Sequence, residues 1–96
     1  MSAFIIFTRD RTTNPAEMET YSQKAGPSLA GHPAKLLTFY GRQVVLEGPE
    51  TEGTVILEFP TLEAAKAWYD SPAYTEARAH RLRGSEYRVH IVEGVA

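Results

Sequence analysis

Apolar residues alternate with polar ones in several short stretches of the chain, which is the pattern of half-buried β-strands. Four stretches alternate in this way or are apolar and aromatic throughout: residues 3–9, 35–40, 54–59 and 86–92. A further short strand is predicted over residues 43–47, after a break at Gly41. The pattern therefore predicts four main strands and one minor strand.

Helix-start signals lie in the gaps between these strands. Asn14 and Pro15 form a cap followed by a first-turn proline, and Glu17 stands where a capping-box carboxylate would reach back. Thr61 is the predicted cap of a second helix. Ser71, with the proline that follows it, is the predicted cap of a third helix, set at an angle to the second.

The order of the elements predicts the fold. Strand, helix, strand, strand, helix, strand is the βαββαβ arrangement of an α+β ferredoxin-like sandwich, with an antiparallel sheet and the helices on one of its faces. At 96 residues, we expect one ferredoxin-like domain over residues 1–96.

Alternation along the strands assigns side chains to two sheet faces. One set contains Leu37, Phe39, Val55, Leu57, Phe59, Tyr87, Val89 and Ile91. The other contains Leu36, Thr38, Tyr40, Ile56, Glu58, Arg88, His90 and Val92. The second set is only half polar and is poorly suited to bulk water, so we expect a homodimer in which this face packs on a second copy.

Composition removes several classes of function. The net charge of −2 gives no basic excess, so no nucleic-acid partner is predicted. The chain has no cysteine, which excludes disulfides, thiolate metal sites and a cysteine nucleophile. The first residues do not have the pattern of a signal peptide and no stretch has membrane-spanning length, so no membrane association and a cytoplasmic location are expected.

One cluster of residues could carry chemistry. Glu58 ends an otherwise apolar strand and needs a partner, for which Arg81 is the natural candidate and Arg88 the alternative. Such a pair either fixes a helix against the sheet or forms part of a site, with Glu58 as acid or base and Arg81 holding an anionic ligand. Trp68 and Tyr74 are candidate walls of a pocket, although core packing is the favoured explanation of Trp68.

The histidines do not indicate a metal site. His32, His80 and His90 are expected in a loop, a helix and a strand, and no pair has the spacing of a helical metal motif. No metal and no cofactor is therefore predicted. By position, His32 is the histidine best suited to act as a general base.

Several of these residues resemble the signature of the domain of unknown function 1330 family. They are Glu58-Phe59-Pro60-Thr61, Ala65, Ala67-Trp68-Tyr69-Asp70-Ser71-Pro72-Ala73-Tyr74 and Arg81, and the flanks Tyr40-Gly41-Arg42, Leu46-Glu47-Gly48 and Val92-Glu93-Gly94 agree. The resemblance implies the dimeric α/β barrel fold, in which two ferredoxin-like sheets face each other. It also implies that Glu58, Trp68, Ser71, Tyr74 and Arg81 surround a shared pocket, although it implies no activity.

Three hypotheses about function follow. The first is a cofactor-independent enzyme acting on a small organic acid or aromatic compound, in which Arg81 holds an anionic group and Glu58 or His32 moves a proton. Trp68, Tyr74 and Ser71 would then contact the substrate. The alternatives are a non-catalytic module that binds a small ligand in the same pocket and a purely structural dimer.

Overall fold

A computed structural model of the protein describes residues 1–95. Its strands are β1 (Ala3–Thr12), β2 (Lys35–Phe39), β3 (Gly53–Phe59) and β4 (Ser85–Glu93). Its helices are α1 (Pro15–Ala25), α2 (Leu62–Tyr69) and α3 (Pro72–Gly84), with a short 3₁₀ turn at Pro27–Leu29. The α+β class and the element order predicted for a ferredoxin-like fold are confirmed. Ala96, the last residue of the expected domain, lies outside the described residues.

The four strands form one antiparallel sheet in the order β2-β3-β1-β4. The central strand β1 pairs on both sides, with Ile5 opposite Leu57 of β3 and Ile91 of β4. Ala3, Ile5 and Phe7 of β1 are buried with α2 and α3 residues in one core. The helices therefore cover one face of the sheet, which we call the helix side, and no helix among residues 1–95 covers the outer face.

Local side-chain chemistry sets where the helices begin. Asn14 Oδ1 accepts hydrogen bonds from the backbone N–H groups of Ala16 and Glu17, as an N-cap should. Thr61 and Ser71 cap α2 and α3 in the same manner, so all three predicted caps are confirmed. The Glu17 carboxylate does not bond back to its own helix start. It binds α3 instead, where His80 Nδ1 lies 2.9 Å from Glu17 Oε2.

A β-bulge in β2 overturns part of the predicted alternation. Leu36 lies opposite Leu57 and Phe39 opposite Val55, with a register shift between them. Leu36 and Phe39 therefore share the helix side, and the prediction that Leu36 lies on the outer face is wrong because the bulge adds a residue, Leu37, between them.

Tyr40 was also expected on the outer face, and that prediction is wrong. It follows β2 in the left-handed backbone region, with a φ of 52°, and this turns its side chain toward the helix side. Its ring packs over Gly53, where an added Cβ would lie 2.5 Å from Tyr40 Cδ1. Gly53 is thus the residue that leaves room for the tyrosine ring.

The minor strand predicted over residues 43–47 is wrong, because this segment has no regular structure. The Gln43 side chain holds the start of the segment to β3, accepting a hydrogen bond from Thr54 Oγ1 at 3.1 Å. Beyond it, Val44 and Leu46 are 76% and 88% exposed. A segment whose sequence predicts a strand therefore exposes apolar side chains to water.

No helix among residues 1–95 has both the length and the apolar character needed to cross a membrane. The cytoplasmic location expected from the sequence stays a prediction.

Candidate functional site

A cavity of about 200 Å³ lies on the helix side, between the α1 region and the β2–β3 edge of the sheet. Its lining is largely aromatic and aliphatic. The sheet contributes Phe7, Leu36, Phe39, Val55 and Leu57, and the helices contribute Met18, Tyr21, Ala25, Trp68 and Tyr74. The bulge in β2 is a direct cause of this site, because it turns both Leu36 and Phe39 into the cavity.

Trp68 forms the firmest part of the wall. It is 2% exposed, and its ring centroid lies 4.1 Å from that of Tyr74 and 5.8 Å from that of Phe59, on which it stacks. Its Nε1 donates to Ser28 Oγ at 3.1 Å, so its one polar atom is satisfied. A ring held on several sides in this way offers a rigid apolar surface to a bound molecule.

Two phenol groups supply polar chemistry to the cavity. The hydroxyls of Tyr21 and Tyr74 lie 2.8 Å apart and share one hydrogen bond. Burial raises the pKa of both phenols above the usual value of 10, so both stay neutral at physiological pH. Because two hydroxyls carry two protons and their mutual bond uses one, the pair has one O–H left to donate.

Arg81 stands behind this tyrosine pair rather than in the cavity lining. It is 4% exposed, its Nη2 donates to the Tyr69 hydroxyl at 3.2 Å, and its Cζ lies 5.0 Å from the Tyr87 ring centre. Burial raises the pKa of Tyr74, and the charge of Arg81 opposes that effect. Within residues 1–95, no carboxylate forms an ion pair with Arg81. The Tyr69 hydroxyl and the face of the Tyr87 ring therefore stabilise its charge.

Arg9 is a cavity residue that sequence reasoning missed. Its Cζ lies 4.5 Å over the Tyr40 ring, and its Nε lies 3.0 Å from Glu52 Oε1. A signal was present in the sequence, since Arg9 follows Phe7 by two positions and must share its face. A cation on the buried face of an apolar strand indicates a specific role, because burying a charge is costly.

The expected ion pair between Glu58 and Arg81 is wrong. Glu58 alternates with the buried Leu57 and Phe59, so its side chain lies on the outer face, away from α3. The alternative partner, Arg88, binds Asp10 instead through two hydrogen bonds of 2.9 Å. Glu58 therefore lies outside the cavity.

The remaining candidates have structural positions of their own. Ser71 caps α3 by accepting from Tyr74 N at 3.3 Å, and it donates to the Trp68 carbonyl at 2.7 Å. It thus fixes two cavity walls without lining the cavity itself. His32 belongs to the turn after the 3₁₀ segment, where its backbone N–H donates to Leu29 O at 3.0 Å, and it does not line the cavity either.

The family follows from the whole sequence. The model of the domain of unknown function DUF1330 matches residues 2–95. The chain belongs to the DUF1330 family. The resemblance seen in the Glu-Phe-Pro and Trp-Tyr motifs is thereby confirmed. A search among curated proteins finds no match to this family member.

Solved structures agree with the fold. RPA0582, a protein of unknown function from Rhodopseudomonas palustris, has a TM-score of 0.74 and 20% identity over 99% of this chain and 83% of that one. A dimeric ferredoxin-like protein of unknown function from Thermobifida fusca has a TM-score of 0.68 and 16% identity over 98% and 92%. SnoaB, a cofactor-independent oxygenase from Streptomyces nogalater, has a TM-score of 0.61 and 13% identity over 99% and 93%. At these identities the likeness establishes the ferredoxin-like fold.

Proposed function

We propose that this protein binds a small organic molecule with a single ring in the helix-side cavity. The observation that carries the proposal is the cavity itself, whose volume is about 200 Å³ and whose walls are mostly rings and aliphatic groups. An apolar cavity of about 150 Å³ is large enough to hold benzene. A ring with one small polar substituent therefore fits.

The polar groups favour binding over proton transfer. Among residues 1–95, no carboxylate or imidazole lines the cavity, so neither Glu58 nor His32 reaches a bound molecule within one protomer. The free O–H of the Tyr21–Tyr74 pair is a hydrogen-bond donor to a ligand oxygen. Trp68 and Tyr74 serve as walls, Ser71 holds them in position, and Arg81 contributes positive charge from behind.

A catalytic role is the second candidate, and the tyrosine pair supports it. A neutral phenol donor in an apolar site stabilises negative charge that develops on a carbonyl oxygen. SnoaB, the structural neighbour described as a cofactor-independent oxygenase, has the same fold. In this second case the cavity would bind a carbonyl compound and polarise it, without a general base from this protomer.

We also propose that two copies pair through their outer faces. Phe4, Ile6 and Ile56 are only partly buried there, and Val92 is 45% exposed. The unpaired segment of residues 43–47 starts beside Thr54, which belongs to the same face. The structural neighbour from Thermobifida fusca is described as dimeric. A homodimer would cover both features at once.

Trp68 gives a direct test of ligand binding, because it is the one tryptophan of the chain and it lines the cavity. Titration with single-ring phenols, ketones and carboxylates should change Trp68 fluorescence saturably and raise the melting temperature. Ala25→Leu should abolish both effects by filling the cavity. Ala16→Leu is the matched control, since Ala16 is exposed on the same helix. Binding that survives Ala25→Leu unchanged would contradict the proposal.

A further inference from the structure

We infer that the cavity selects an anion, a single-ring aromatic carboxylate, and that Arg9 binds the carboxylate group. This inference rests on the proposed binding function and adds the charge of the ligand and the residue that recognises it. It also assigns to Arg9 the anion-binding role that the sequence predicts for Arg81.

The position of Arg9 carries the first step. Arg9 lies opposite Gly53 of β3 and Tyr87 of β4, on the same face as the buried Phe7. Its guanidinium reaches the cavity over the Tyr40 ring, at 4.5 Å from the ring centre. A planar cation with several N–H donors therefore stands at the wall of an otherwise apolar site, where a carboxylate is bound bidentately.

Arg9 shares its carboxylate partner, Glu52, with neutral donors of Thr12. Its acidic neighbour Glu52 already accepts hydrogen bonds from Thr12 N at 2.9 Å and Thr12 Oγ1 at 2.6 Å. Arg9 Nε lies 3.0 Å from Glu52 Oε1, but it is buried and has no aligned hydrogen-bond partner in the described part of the chain. Glu52 thus serves Thr12 as well as Arg9, and the guanidinium keeps donors for a ligand.

Arg81 makes the region positive without contacting the ligand. Its own donor binds the Tyr69 hydroxyl, and its face lies on the Tyr87 ring. The cavity region therefore has two guanidinium groups, Arg9 and Arg81, against one carboxylate, Glu52. This balance of charge favours an anion over an isosteric neutral molecule, and water screens the buried Arg81 poorly.

Benzoate and its neutral isostere benzamide separate the charge of a ligand from its shape. Isothermal titration of the full chain should show benzoate binding at least about tenfold more tightly than benzamide, the usual size of a charge-assisted hydrogen bond. Arg9→Gln should remove that preference and leave benzamide binding unchanged. Arg11→Gln is the matched control, because Arg11 lies on the same strand with its side chain 65% exposed and paired to Glu86.

A second variant keeps the test decisive if Arg9→Gln does not fold. Glu52→Gln removes the competing carboxylate, so benzoate should bind several-fold more tightly while benzamide affinity stays the same. Equal affinity for both ligands, or a preference that survives Arg9→Gln, would overturn the role of Arg9 but leave the cavity as a ligand site. Failure of the wild-type protein to bind either ligand would overturn this inference, and failure of the wider titration with phenols and ketones would overturn the proposed function itself.

Discussion

The two faces of the sheet both carry apolar residues, but these residues are buried on one face and partly exposed on the other. On the helix side, Val55, Leu57 and Phe59 of β3 are at most 8% exposed, and their neighbours enclose a cavity. On the outer face, Thr54, Ile56 and Glu58 of the same strand are only partly buried, and no helix of residues 1–95 covers them. One strand thus lines an aromatic cavity on one side and forms part of a partly exposed surface on the other.

This contrast separates residues that hold the fold from residues to which we assign a binding role. Trp68, Tyr74 and Arg81 belong to the recognisable motif of the family, yet their contacts are largely with one another and with the core. Arg9 lies outside that motif, and its Nε, like that of Arg81, is buried without an aligned hydrogen-bond partner in residues 1–95. A motif that is easy to recognise is therefore not by itself the functional site.

Removal of the Trp68 ring from the cavity wall should have the largest effect on stability. Trp68→Ala deletes a ring that is 2% exposed, so we expect a loss of about 3–5 kcal/mol in the free energy of unfolding. Denaturation by urea at fixed protein concentration measures it. Leu82→Ala is the control, since Leu82 is 66% exposed and its truncation should cost less than about 0.5 kcal/mol. A loss below about 1 kcal/mol for Trp68→Ala would show that the wall is not packed as described.

A charge on the outer face should break the proposed dimer and leave the helix side intact. Ile56→Asp places a carboxylate in the centre of this face, and twofold symmetry brings a second copy of it nearby. We expect the dimer dissociation constant to rise at least about a hundredfold, measured by light scattering over a dilution series. Thr75→Asp, on the exposed surface of α3, should leave the mass unchanged. A monomeric wild-type protein at micromolar concentration would contradict the dimer.

The tyrosine pair allows a finer test of the helix side. Tyr21→Phe and Tyr74→Phe each remove one partner of a 2.8 Å hydrogen bond, so each should lower stability by about 1 kcal/mol. The double variant should cost little more than either single change, because both changes remove the same bond. Unfolding of the four proteins in urea completes the cycle. Additive losses would show that the two hydroxyls do not interact.

The smallest expected effect is on pH dependence. Hydrogen bonds from His80 and then from Arg83 lower the pKa of Glu17 below its usual value of 4.5. A lowered folded-state pKa means that this stability is present above pH 4.5 and is lost as pH falls through the folded value. Melting temperatures in acid should therefore fall less steeply for Glu17→Gln than for the wild type. Glu63→Gln, on an exposed position of α2, should keep the wild-type slope.

Local chemistry made part of this structure predictable from the sequence. The caps Asn14, Thr61 and Ser71 accept hydrogen bonds from backbone groups within three residues, so the neighbouring sequence is enough to predict them. The alternation of β3 likewise placed its buried residues correctly. The same alternation places Glu58 on the face opposite Arg81, so the predicted ion pair between these two residues was inconsistent with the strand pattern.

The parts that could not be predicted depend on distant residues. The bulge beside Leu36 is a property of how β2 aligns with β3, and it decides which leucine enters the cavity. Tyr40 enters through a left-handed backbone made possible by the space above Gly53, which follows it by thirteen positions. The cavity depends on these contacts between distant residues, so the sequence alone could predict only part of its lining.

The most direct measurement is an NMR titration of the isotopically labelled protein with benzoate, following every assigned backbone amide. We expect saturable shift changes at cavity residues such as Tyr21, Ala25 and Leu36, whereas the amide shifts of Phe4 and Ile56 on the outer face should stay unchanged. Changes confined to the outer face, or none at millimolar benzoate or with any other single-ring ligand, would contradict the claim that the helix side is the ligand site.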